Sequence, residues 1–251
     1  VLRDKFYHEN FEYSNRIYSD VKVTINIKEA DNLTSNPLFV SINKKLGENK
    51  LINQTKKGIF DIESNFVEQN PNLVSNKKED WENPIQLLTN NKSGSSGRAT
   101  WYWTDKSIIK TGQEYFDYYK VVISSAYPKK SIVSSTPTIE NVKSRLNELI
   151  ELLPPNSAFG RSRMALFMSK NKIECDNFMK YTKTNFFAGL TLQEPNRCST
   201  FGDIIPMQDF SSCSDIDWTK DIEDINSQLY KKYNLTQEEI DFIESHVKEM
   251  N

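Results

Sequence analysis

The chain is poor in metal-binding and redox residues. Of its 251 residues only three are Cys and two are His, and Cys175, Cys198 and Cys213 form no C-x-x-C pair. An odd, sparse set of this kind excludes a disulfide scaffold, so three reduced thiols and no metal site are expected. Long apolar runs are also missing. Nothing approaches the roughly 18 residues that a membrane helix needs, so we expect no membrane partner and a cytoplasmic location. The opening, Val1-Leu2-Arg3-Asp4-Lys5, has neither an initiator Met nor the basic and apolar blocks of a secretory signal. It reads as a fragment of a longer protein. Without a secretory context the Asn-x-Ser/Thr triplets at Asn32, Asn53, Asn91 and Asn234 carry no glycosylation signal. Finally there is no excess of positive charge: 32 Lys and Arg stand against 34 Asp and Glu, a net charge of -2. A uniformly basic nucleic-acid binder is thereby excluded, whereas a locally basic face is not, because binding depends on where the cations cluster.

What is present describes a polar, aromatic-rich globular chain, 37% hydrophobic and 12% aromatic, with room for one large core or two small ones. Val21-Lys22-Val23-Thr24-Ile25-Asn26-Ile27 alternates as a half-buried strand does. Residues 69–84 are rich in turn formers and charge and predict an exposed connection. Residues 118–127 are β-branched and aromatic and predict a strand with a buried centre. From Thr138, the apolar residues Ile139, Val142, Leu146, Leu149, Ile150 and Leu153 recur at helical spacing up to Pro154-Pro155. They predict an amphipathic core helix with Thr138 as its N-cap. Residues 159–168 place Arg161 and Arg163 at the entrance of an apolar strand, and residues 173–190 predict one helix burying Phe178, Tyr181, Phe186 and Phe187. A last helix starts at Thr236, with Glu239 as capping-box partner and Ile240, Ile243 and Val247 as its apolar stripe.

The chemistry concentrates in Asn90-Asn91-Lys92-Ser93-Gly94-Ser95-Ser96-Gly97-Arg98-Ala99-Thr100-Trp101-Tyr102-Trp103. Glycines and serines there allow unusual backbone angles and offer hydroxyls and bare N–H groups, with Lys92 and Arg98 adding charge, a combination suited to a phosphate backbone. The same residues also make an ordinary surface turn leading into a core strand. Trp101 and Trp103, at alternate positions, are expected to face that core.

Several short motifs in a fixed order resemble the target-recognition region of adenine-specific DNA methyltransferases from type II restriction–modification systems. Pro206-Met207-Gln208-Asp209-Phe210, Trp218-Thr219-Lys220-Asp221 and residues 229–244 are similar to the closing pattern "P-L-Q-D-F…W-T-D…L-Y-K-K-Y-x-L-T-x-E-E-I-x-F-I-E". Residues 119–127 resemble "Y-K-V-L-I-S-K-A-Y", and residues 180–187 resemble "Y-L-K-T-K-F-F". Residues 96–101 are similar to a "P-F-G-L-R-T" turn through Gly97 and Thr100, with Arg98 and Ala99 at the Leu and Arg positions. After Phe187 the chain departs from its relatives, which often carry an Arg-Lys pair there. Base preference therefore does not carry over.

The resemblance spans residues 90–251 and is weak over 1–89. It implies one DNA target-recognition region: an N-terminal strand and loop part (1–89), a core recognition part (90–214) and a C-terminal helical tail (215–251). The fold class expected is α+β, a mixed β-sheet with several packed helices, with strands dominating residues 15–135. The family's catalytic Asn-Pro-Pro-Tyr motif and cofactor loop do not occur, and Phe201-Gly202-Asp203 is only a lone glycine turn. The resemblance thus implies no catalytic residue and no cofactor in this chain. S-adenosylmethionine and methyl transfer would belong to a catalytic domain outside it, in a parent methyltransferase or a fused restriction–modification enzyme. Double-stranded DNA and that catalytic domain are the implied partners. Arg98 is the first candidate for base contact, with Lys92, Ser96, Lys129, Lys130, Arg161 and Arg163 as phosphate or base contacts. Two alternatives stay open: a Mg-dependent nuclease using carboxylates such as Asp20, Glu29, Asp61 and Glu63, and a non-DNA partner-docking domain acting through the last helix.

Overall fold

The computed structural model describes residues 10–14, 22–26, 37–94, 97–124, 149–191, 193 and 201–245. Over these residues the chain is an α+β protein. A hairpin of β1 (Asn10–Ser14) and β2 (Lys22–Asn26) precedes α1 (Pro37–Lys45), the two-residue β3 (Lys56–Lys57) and α2 (Phe66–Gln69). Strands β4 (Pro84–Asn90), β5 (Ala99–Asp105), β6 (Tyr119–Ser124), β7 (Ile150–Leu153), β8 (Ser157–Phe159) and β9 (Arg163–Ser169) follow. The chain then turns helical, with α3 (Lys172–Thr182), α4 (Asn185–Thr191), α5 (Phe201–Ile204), α6 (Ile222–Lys232) and α7 (Gln237–Ser245).

A four-stranded sheet, β3-β9-β6-β7, lies between two cores. Side chains of a strand alternate between faces, so Val121 and Ile123 of β6 enter a core with Phe178, Tyr181, Phe186, Phe187 and Ile243 from the helices. Val122, with Leu153 and Ala165, enters the other, against Ile85, Leu87 and Ala158 of the three-stranded sheet β5-β4-β8. Between β6 and β9 the register steps from Val121↔Phe167 to Val122↔Ala165. Leu166 is left without a partner, and consecutive Leu166 and Phe167 both pack into the helical core. Lys120 is fully buried on β6, its Nζ donating to the carbonyls of Tyr118 (2.7 Å) and Pro154 (3.5 Å).

The closing motifs of residues 206–244 build the helical core. Phe210 packs its ring 5.1 Å from Phe167, 5.2 Å from Phe178 and 5.1 Å from Trp218. Tyr181 donates its hydroxyl to the Pro206 carbonyl at 3.0 Å, and Gln208 Nε2 donates to Tyr233 Oη at 2.7 Å. Helix α6 ends with Asn234 in the left-handed region (φ 48°), while Leu235 N–H reaches Tyr230 O and Asn234 N–H reaches Lys231 O. Those two bonds satisfy the carbonyls a helix end leaves open. The capping box forms as expected: Glu239 N–H donates to Thr236 Oγ1 (3.3 Å), and Thr236 N–H to Glu239 Oε2 (2.7 Å). Glu239 does more than cap, since it also accepts from Ser41 Oγ (2.7 Å) and Lys45 Nζ (2.6 Å) of α1. Beside it Phe242 meets Phe39 edge-on at 5.3 Å.

Several expectations need correction. The periodic run ending at Pro154 does not finish as a helix: Ile150–Leu153 is β7, because its backbone pairs with Lys120–Ile123 of β6. Thr138 and most of that run lie outside the described residues. Residues 15–135 hold strands β2 to β6, while β7 and β8 lie beyond them, and the apolar strand expected over 159–168 is present as β9, which joins the central sheet. The single helix over 173–190 is two, broken where Thr184 Oγ1 donates to Tyr181 O and accepts Phe187 N–H as the cap of α4. In the last helix Ile243 is buried and Ile240 packs half-buried against the same core, as expected, with Phe242 joining them, and Val247 lies outside the described residues. The strand over 118–127 is present as β6 with its centre buried, and residues 69–84 are largely exposed.

Candidate nucleic-acid interface

Strand directions bring distant basic residues to one end of the two sheets. Strand β8 runs parallel to β4, pairing Phe159 with Leu88, so both leave their sheet at the same end. Strand β9 begins there too, Arg163 opposite Ser124, the last residue of β6. The described residues of the β4–β5 hairpin tip, 91–94 and 97–98, and the turn at 160–162 therefore sit together. Hydrogen bonds tie them: Gly160 N–H to Leu88 O (2.9 Å) and Ser162 Oγ to Asn90 Oδ1 (3.1 Å). Gly160 has little choice of side chain, because an added Cβ would lie 2.4 Å from Thr89 Oγ1.

The hairpin tip is closed by Asn91, whose N–H donates to Arg98 O and whose Oδ1 accepts Arg98 N–H, both at 2.9 Å. Gly97 lets the loop fold onto itself, since a Cβ there would fall 2.0 Å from the Lys92 carbonyl oxygen. Lys92, Ser93 and Arg98 are exposed, and no described carboxylate forms an ion pair with Arg98. Arg161 is exposed beside them but already engaged, by Asp61 and by Glu63 at 2.5 Å. The hydrogen bond that Arg161 donates to Asp61, reinforced by both negative charges, raises its pKa. Glu68 of α2 holds Ser93, and that bond, with Lys92 nearby, lowers the Glu68 pKa. Of the three exposed cations at this end, Arg161 and Lys92 thus have carboxylates beside them and Arg98 has none paired with it among the described residues.

The remaining expected contacts divide. Arg163 is not presented at this surface: it is 7% exposed and turns its Nη1 to Ser162 O (3.1 Å) and Oγ (3.3 Å). Burial lowers its pKa, against the pull of Glu151. Ser96, Lys129 and Lys130 lie outside the described residues. The expectation for the tryptophans is overturned. Trp101 is 36% exposed and Trp103 half-buried under Lys78 Nζ, 5.6 Å from its ring, because β5 is the outer strand of its sheet and covers rather than enters the core. Aromatic surface therefore adjoins the basic hairpin, a feature the alternation of the strand did not reveal.

Among the described residues no group of three or more His, Cys, Asp or Glu is placed to hold a metal ion. Asp61 and Glu63 do come together, on Arg161, while Asp20 and Glu29 lie outside the described residues. The expected lone glycine turn at Phe201-Gly202-Asp203 is part of α5, with Phe201 and Gly202 buried. Cys175 is buried and Cys213 exposed, both free thiols, and burial pushes the Cys175 thiol up to about 11. No described helix is long and apolar enough to cross a membrane. No family model, curated protein or solved structure matches the chain.

Proposed function

We propose that this chain is a sequence-specific double-stranded DNA recognition region serving an adenine-N6 methyltransferase of a restriction–modification system, working in the cytoplasm. One observation carries the reading: the Gly/Ser hairpin tip bearing Arg98 and the Arg161 turn, remote in sequence, share one exposed end beside Trp101. The ordered motifs of residues 90–251 supply the choice of family. In this reading Lys92 and Arg161 grip phosphates and Arg98 enters a groove, since phosphate contacts position a protein and base contacts specify the site. A catalytic domain outside this chain binds S-adenosylmethionine and receives the target adenine flipped from the stack, because the duplex denies access to the base. This chain supplies register and grip. The nuclease alternative would require Asp61 and Glu63 to leave Arg161, and docking through the last helix would require an apolar face that α7 already buries against α1 and α4.

Duplex binding measured by fluorescence anisotropy across a salt series tests the proposal. Neutralised phosphates release counterions, so affinity should fall steeply as salt rises. Arg98→Ala should cost roughly tenfold or more on a preferred sequence and relax the choice of base at one position. Absence of affinity for any duplex at low salt would sink the reading, and unchanged sequence preference in Arg98→Ala would remove Arg98 from the contact.

A further inference from the structure

Asp61, Glu63 and Glu68 come from one short segment, yet each meets the basic end from far along the chain. Asp61 and Glu63 flank Ile62, which is buried, and Ile62 O accepts Arg161 N–H at 2.8 Å, pinning the segment against the turn. Both carboxylates close on the Arg161 guanidinium, and Glu68 binds Ser93 beside Lys92. Asp61 is held in the left-handed region, φ 51°, by a tight turn in which its N–H donates to Gly58 O. A planar fork that receives two carboxylates is the same fork that receives a phosphate.

We infer that residues 61–68 are an acidic strap that occupies Arg161 and shadows Lys92, so that a duplex must displace carboxylates before these cations reach its backbone. The strap rests on the proposed DNA-recognition role. Each exposed ion pair of this kind changes an equilibrium by only a factor of a few. A duplex that also makes base contacts through Arg98 overcomes that resistance, whereas one offering phosphates alone is penalised. The strap thus suppresses non-specific binding and sharpens the difference between right and wrong sequences.

The test compares the full chain with the double variant Asp61→Asn, Glu63→Gln on a random-sequence duplex over a salt series. Asn tolerates the left-handed backbone at position 61, and a thermal melt followed by circular dichroism verifies the fold. The double variant should bind about tenfold more tightly at low salt, with a log–log salt slope steeper by about one. Adding Arg161→Ala should abolish both changes. Glu238→Gln with Asp241→Asn removes equal charge from α7 and should leave the slope as it was. If the unaltered chain binds duplex but the double variant gains nothing, or keeps its gain without Arg161, the strap is refuted while the DNA reading survives. Should neither bind any duplex at low salt, both fall together.

Discussion

Replacing Glu239 by Ala should destabilise the protein although no apolar contact is lost. The carboxylate is 1% exposed and accepts three hydrogen bonds, from Thr236 N–H, Ser41 Oγ and Lys45 Nζ. Losing its half of the capping box costs about 1 kcal/mol. Its charge-assisted bond to Lys45 contributes about 2 kcal/mol, near the lower end because Lys45 is 26% exposed and retains Asn234 O as an acceptor. The sum, about 3 kcal/mol, corresponds to a melting shift of about 6–12 °C for a chain of this size. Urea unfolding followed by tryptophan fluorescence measures the loss, and a double-mutant cycle with Lys45→Met isolates the ion pair. A loss below 1 kcal/mol, or strictly additive effects of the two substitutions, would refute the reasoning. The pH dependence gives a second check. Burial pushes the Glu239 pKa up, but the bonds from Lys45, Thr236 and Ser41 outweigh it and hold the group below its ordinary 4.5. Its contribution is therefore complete above pH 4.5 and lost as pH falls through the lower folded value. Glu239→Gln should show no such loss in that window.

Two other sites make further predictions. Gly160→Ala drives a methyl group to 2.4 Å from the buried Thr89 Oγ1 and should cost about 1–3 kcal/mol. Because that hydroxyl has no hydrogen-bond partner among the described residues, adding Thr89→Ala should restore most of the loss, and equilibrium unfolding of the pair decides it. Burial lowers the Lys120 pKa from 10.5 to about 8, against the pull of Cys175 and Asp117. Keeping the ammonium charged inside the protein thus opposes folding fully below pH 8 and ceases to matter above pH 10.5. The stability of Lys120→Met relative to the unaltered chain should fall by about 3 kcal/mol between pH 7 and 10.5, and a constant difference in urea midpoints would contradict it.

Local chemistry was legible in the sequence where it acts locally. The capping box of Thr236 and Glu239, the Gly/Ser hairpin tip and the β6 strand needed only neighbouring residues to define them. Ile150–Leu153 was illegible because its spacing suits a helix, and only pairing with β6, some thirty residues earlier, decides for a strand. Trp101 and Trp103 alternate as core residues do, but alternation does not say which face of an outer strand is covered. The Arg161 partners carried no signal at all. Asp61 lies 100 residues away, and in a chain with 34 acidic residues no pattern distinguishes the carboxylates that close on an arginine. Arg163 illustrates the converse, a charge at a strand entrance that the sheet buries. The basic end was legible as a composition and illegible as an electrostatic balance.

The contact between Lys45 and Glu239 bridges a separation of 194 residues, and that distance has a consequence in time. At roughly 5–20 residues per second, α1 emerges from a ribosome about 10–40 s before the helix that covers it. Until then Phe39, which meets Phe242 of that helix, lacks this part of its cover. That side of α1 therefore stays open while the intervening residues are made, and chaperone engagement there should end when α7 arrives.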